Sequence, residues 1–158
     1  MNLENTGLSR RKLLRTAAIG VPAAGAVAMG ATLITAPASN AATIATDGYW
    51  GTETTRLLQI LFKLDVVDGI VSSQPASRAS ANPGLAGGWD WVSDASANGS
   101  QTIGALQGML KVTQDGLIGP GTISALQARY KLPQDGVLSA ESPTIMKLQA
   151  ELNRVAYD

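Results

Sequence analysis

The chain has 158 residues, 12 basic and 12 acidic side chains, no cysteine and no histidine. The missing cysteines exclude disulfide scaffolds, thiolate metal sites and thiol nucleophiles, and the missing histidines exclude imidazole ligands and imidazole bases. With residues 1–41 set aside, where Arg10, Arg11, Lys12 and Arg15 face Glu4 alone, 8 basic side chains meet 11 acidic ones, so no broad basic field is offered to nucleic acid.

In chain order, Ser9-Arg10-Arg11-Lys12-Leu13-Leu14-Arg15 reads as a twin-arginine export motif. An Ala/Gly-rich apolar stretch from Thr16 to Thr35 follows, and then small residues, Ala36 to Ala42, that suit signal peptidase. The apolar stretch nearly reaches spanning length, but Gly20, Pro22, Gly25 and Gly30 make it a poor transmembrane helix. Residues 1–41 are therefore expected to be a cleavable signal peptide, and 42–158 a single secreted domain with no stable membrane span after cleavage.

That domain repeats. The core Thr-x-x-x-Leu-Gln occurs at Thr54–Gln59, Thr102–Gln107, Thr122–Gln127 and Thr144–Gln149. Aligned on the glutamine, the apolar positions fall at Leu58, Leu106, Leu126 and Leu148, at Thr55, Ile103, Ile123 and Ile145, and at Phe62, Leu110, Tyr130 and Leu152. Offsets of i, i+3 and i+7 make one stripe per unit at helical period. Helix starts are signalled by Gly119-Pro120, by Ser142-Pro143 and by Ser100. Asp-Gly pairs at Asp47, Asp68, Asp115 and Asp135 predict turns, because glycine admits positive φ and aspartate bonds its own backbone. The two apolar residues after each pair are expected to plug the turn into the helices. Helices of three turns are unstable alone, so the units must share one core. The fold class is mainly α: a small bundle of short helices linked by Asp-Gly turns.

Residues 73–99, rich in Ser, Ala, Gly and Asn, have no period and are read as a long inserted loop within the second unit. Candidate ligand contacts are the exposed-aromatic set Tyr49, Trp50, Trp89 and Trp91, since aromatic faces suit sugar rings, with Asp115 and Gln127 from the repeat. Each has a structural alternative. Trp50 would plug the first turn, Trp89 and Trp91 would pin the loop, and the glutamines and aspartates would satisfy backbone groups. No catalytic residue, metal site or cofactor is expected. Asp90 and Asp94 beside the tryptophans superficially suit glycan hydrolysis, which needs two carboxylates across a cleft, but the repeats leave no separate catalytic scaffold.

The run Asp-Gly-x-Ile-Gly-Pro-x-Thr, then Ala-Leu-Gln and a second Asp-Gly-Val, from Asp115 to Val137, resembles the peptidoglycan-binding domain found beside bacterial wall hydrolases. Asp47-Gly48-Tyr49-Trp50-Gly51 with Thr54–Gln59, Asp68–Ser72, and Asn82-Pro83-Gly84-Leu85 are similar to the version attached to actinobacterial secreted hydrolases. The sequence departs from that pattern at Ser72 and Ser139, where the motif has glycine, and in the insertion. The resemblance implies a small helical fold with a shallow groove for wall glycan or stem peptide. It implies that the chain is a secreted, cell-wall-associated, non-catalytic binding protein, for which a separate wall hydrolase is a candidate further partner. The alternatives are a protein-interaction or inhibitor scaffold that uses the insertion as its contact surface, and a lytic enzyme. Deletion of residues 76–97 is expected to separate wall binding from partner binding.

Overall fold

In the computed structural model, residues 43–156 are described, and the expected signal peptide lies outside them. The elements run α1 (Thr52–Leu61), β1 (Val71–Pro75), α2 (Ser77–Ala81), β2 (Trp89–Val92), a 3-10 turn (Asp94–Ser96), α3 (Gln101–Leu110), α4 (Pro120–Arg129) and α5 (Pro143–Ala156). The four longer helices are those of the repeat, and α3, α4 and α5 start where the sequence signals a start. Pro120 and Pro143 open α4 and α5. The Ser100 hydroxyl accepts from the Thr102 N–H at 3.0 Å, which satisfies an amide that has no partner within α3. Among the described residues no helix is long and apolar enough to cross a membrane.

Each helix buries its stripe in one shared core. Leu58, Leu106, Leu126 and Leu148 are buried together with Ile103, Ile123 and Ile145, while Phe62, Leu110 and Tyr130 pack against them half-buried. After each Asp-Gly pair only the second apolar residue enters this core: Trp50, Val71, Ile118 and Leu138 are buried, whereas Tyr49, Ile70 and Val137 are exposed. The expectation that both residues plug the turn is corrected here. Successive side chains of an extended segment point to opposite sides, so only one of the pair can face inward.

A hydrogen-bonded clasp built from one glutamine recurs in all four units. The Gln107 Nε2 donates to Asp115 Oδ1 at 2.8 Å and to the Leu117 carbonyl at 3.1 Å, and its Oε1 accepts from the Gly116 N–H at 2.8 Å. Gln59 holds Asp68, Gly69 and Ile70 in the same way, Gln127 holds Asp135, Gly136 and Val137, and Gln149 holds Asp47, Gly48 and Tyr49. Three of the amides also reach the first turn of the next helix, at Thr102, Thr122 and Thr54. The aspartate closes its own corner by accepting from the N–H two residues on, as Asp115 does from Leu117 at 2.9 Å. Glycine is required inside the corner. Gly116 has φ +74°, and a side chain at Gly48 (φ +80°) would meet the Glu141 backbone at 2.6 Å.

The order of the clasps is cyclic. Gln59 of α1 holds the loop leading to α3, Gln107 the loop to α4, Gln127 the loop to α5, and Gln149 of α5 returns to the loop that precedes α1. Two further bonds between Ile44 and the Asn153 side chain fasten the same junction.

The insertion is the hub of this ring and not a loop beside it. Its strands pair in parallel, with Val71 opposite Trp89 and Gln74 opposite Trp91. More telling is what it does for the four inward-pointing residues that follow the corners. The Trp50 N–H donates to the Gly84 carbonyl and the Val71 N–H to the Gly88 carbonyl, both at 2.8 Å. The Ile118 N–H donates to Gln74 Oε1 at 2.7 Å, and the Leu138 N–H to Asn82 Oδ1 at 2.9 Å. One amide from each unit is thus satisfied by the same central segment. Buried N–H groups without partners are costly, so the ring cannot dispense with it. The reading of 73–99 as an aperiodic loop is corrected, and deletion of 76–97 becomes a folding lesion that cannot separate two kinds of binding.

Candidate functional site

The aromatic residues come together, but largely inward. Trp50 is fully buried and its indole N–H donates to the Thr55 hydroxyl at 2.9 Å. Trp89, 9% exposed, meets Trp50 edge-on with ring centres 5.3 Å apart and donates to the Trp50 carbonyl at 3.0 Å. Trp91 is half-buried and stacks on Trp89, its ring tilted by 10° and 5.3 Å away. Tyr49 is 36% exposed. In this arrangement Trp50 has no ring face at the surface for a sugar. The Gln127 amide is likewise spent on its clasp and buried, with bonds at both its nitrogen and its oxygen.

Asp115 is in a different situation. Its carboxylate is exposed, and both protein bonds fall on Oδ1. The Leu117 N–H, and next the Gln107 amide, hold the carboxyl below the usual carboxylate range, so it is charged at neutral pH. It borders a groove of about 390 Å³ at the junction of the third Asp-Gly corner with the start of α4. Leu117, Pro120 and Thr122 come from the repeat, and Pro75 and Arg78 from the hub on the other side. The walls therefore combine an apolar bed, one anion held by its own corner and one cation. Concave sites of mixed apolar and polar lining are the usual form of small-ligand sites. Such a groove can support the apolar face of a sugar or a methyl group, accept bonds from hydroxyl or amide donors at Asp115, and meet a carboxylate with the Arg78 guanidinium.

Of the candidates named from sequence, Asp115 lies in this groove and the three tryptophans form a separate cluster. Sequence reasoning missed Arg78, Pro75 and Leu117. Leu117 was accessible through its place after an Asp-Gly pair. Arg78 carried no signal, because it stands on the five-residue α2 inside a segment without period.

A second cleft, of about 440 Å³, lies between α4 and α5 around Arg129, Tyr130, Lys147, Glu151 and Arg154. Burial opposes ionisation of Glu151, but the bonds from Arg129 and Tyr130 outweigh it and keep this carboxyl below its ordinary range. Burial, then the contact with Glu151, pushes the Tyr130 phenol up. These groups satisfy one another, and the cleft works as a clamp between two helices. Among the described residues no three carboxylates gather as a metal site. In comparisons with known proteins, no family model, no curated protein and no solved structure matches the chain.

Proposed function

We propose that the chain is an exported, non-catalytic peptidoglycan-binding protein of the cell surface, and that the groove at Asp115 is where it holds the wall. The observation that carries this reading is a coincidence of residues. Asp115, Leu117, Gly119, Pro120 and Thr122, which form the run that resembles wall-binding domains, are also the residues that form one side of the groove. The chemistry is compatible with that ligand: wall glycan offers sugar rings, lactyl methyl groups and amide N–H donors, and the stem peptide offers carboxylates for Arg78. The twin-arginine motif and small-residue cleavage region support export, and a bound wall polymer would retain the protein at the surface, where it can also meet a separate wall hydrolase.

The test is co-sedimentation of the purified protein with sacculi. Wild-type protein is expected in the pellet, Leu117→Glu in the supernatant, and Arg78→Ala in between with increased sensitivity to salt. Wild-type protein that stays in the supernatant across salt and pH overturns the proposal. Release of soluble muropeptides by the protein alone would overturn its non-catalytic part.

A further inference from the structure

We infer that the domain has a second groove for the same ligand, equivalent to the first through the internal repeat, so that one molecule engages two disaccharide units of a wall glycan. This rests on the wall-binding reading and adds to it the number of sites. The second groove, about 330 Å³, lies where the loop held by Gln59 meets the start of α3. Its lining residues occupy the repeat positions of the first groove one by one. Val66 stands for Thr113, two residues before the aspartate; Asp68 for Asp115; Ile70 for Leu117; Ser72 for Gly119; and Gln101 and Thr102 for Gly121 and Thr122.

The recurrence has a mechanical cause. In these two units the glutamine draws the backbone of the corner against the threonine of the next helix, through Gln59 to Thr102 at 3.3 Å and Gln107 to Thr122 at 2.9 Å. The residues just before the aspartate and just after the glycine are left outside this contact, and they form the rim of a notch whose floor is the clasp. The same fixed anion is present in both. The Gln59 amide, and next the Ile70 N–H, hold the Asp68 carboxyl below the usual range, and its carboxylate is exposed.

The two grooves are not identical, which fixes their roles. The hub supplies Pro75 and Arg78 to the first only. The second has no cation in its lining, and its apolar bed is Val66 and Ile70, 57% and 44% accessible. It therefore takes the sugar portion of a repeat unit through its apolar bed and Asp68, whereas the first also takes the stem carboxylate. A polymer that presents the same unit repeatedly can fill both, and linkage of two weak sites raises apparent affinity by about 10²–10⁴ when both can be reached together.

An NMR titration with a soluble disaccharide-tetrapeptide, set beside sedimentation with sacculi, tests this. Amide shifts are expected in two groups, around Ile70 and Thr102 and around Leu117 and Thr122, with the first group saturating at higher ligand concentration. Ile70→Glu, or Val66→Glu as a second exposed substitution, should abolish only the shifts around Thr102 and lower sacculus affinity by about 10²-fold. Shifts confined to Leu117 and Thr122, with Ile70→Glu and Val66→Glu sedimenting like wild type, would overturn the second groove and leave wall binding standing. No shifts and no sedimentation would overturn both.

Discussion

Gln149→Ala removes the clasp that closes the ring, and its effect can be worked out bond by bond. The amide serves the Gly48 N–H at 3.0 Å, Asp47 Oδ1 at 3.0 Å, the Tyr49 carbonyl at 2.9 Å and the Thr54 hydroxyl at 3.3 Å. Asp47 and Tyr49 are exposed and can turn to water, but Gly48 and Thr54 are buried. A buried polar group left without a partner costs roughly 1–3 kcal/mol, so two such groups predict a loss of about 2–6 kcal/mol. That is a large part of the ~5–15 kcal/mol that holds a domain folded. Urea unfolding followed by fluorescence of the buried tryptophans should show the midpoint falling by about 1–3 M with the slope unchanged, taking a slope of roughly 2 kcal/mol/M. Gln149→Glu supplies a sharper check. The new carboxylate can still accept from Gly48, but it cannot donate to Asp47, and two negative charges then face each other. Its pKa in the folded state is raised above the ordinary glutamate value of about 4.3, so the stability it contributes is present below that value and lost as pH rises through the raised one. This variant should gain stability on mild acidification while wild type does not. A midpoint shift under about 0.5 M for the alanine variant, or identical pH profiles for glutamate and alanine variants, would refute the reasoning.

Glycine substitutions should divide by what the new methyl meets. At Gly84 it would lie 2.5 Å from the Ser139 carbonyl and 2.9 Å from Ile145, so Gly84→Ala should lower thermal stability severely, by about 2 kcal/mol or more; at Gly104, within α3, nothing lies within 4 Å, and Gly104→Ala should stabilise by roughly 0.5–1 kcal/mol. Acid unfolding should begin only below the ordinary aspartate value of about 4, because Asp47, Asp68, Asp115 and Asp135 all have lowered pKa values in the folded state, and the stability they contribute is lost as pH falls through those values. A midpoint for acid unfolding above pH 5 in low salt would contradict this. Deletion of residues 76–97 should abolish cooperative unfolding altogether, since it takes away Asn82 and the Gly84 and Gly88 carbonyls that satisfy three units; calorimetry showing a retained transition would contradict the hub.

The helices were legible because their information is local. Each stripe, each proline at a first turn and the cap at Ser100 lie within about ten residues of what they control. The hub was not legible because its order comes from partners far along the chain. Gln74 bonds Ile118 and Gly116, and Asn82 bonds Leu138, across separations of 42 to 56 residues. Polar residues such as these lower the apparent hydrophobicity of a segment and read as loop, although here they are buried in order to serve backbone amides. Strand β1 also lacks a clean alternation, since its register shifts between Val71 and Gln74. The candidate groove was half legible for the same reason. Asp115 belongs to a motif with fixed spacing, whereas Arg78 faces it only through the tertiary path of the hub.

Closure by α5 also bears on when the domain can exist at all. For a chain that emerges from the ribosome in order, the loop around Gly48 appears early and then waits for Gln149, 101 residues later, while the hub waits for Leu138. Nothing short of synthesis through α5 completes the circuit. A chain stalled before α5 would have three of the four repeat helices, the hub and the groove at Asp115, yet leave its opening segment unfastened and open to proteases. Folding thus reports that translation has passed α5, a useful signal for any protein whose next step depends on being folded.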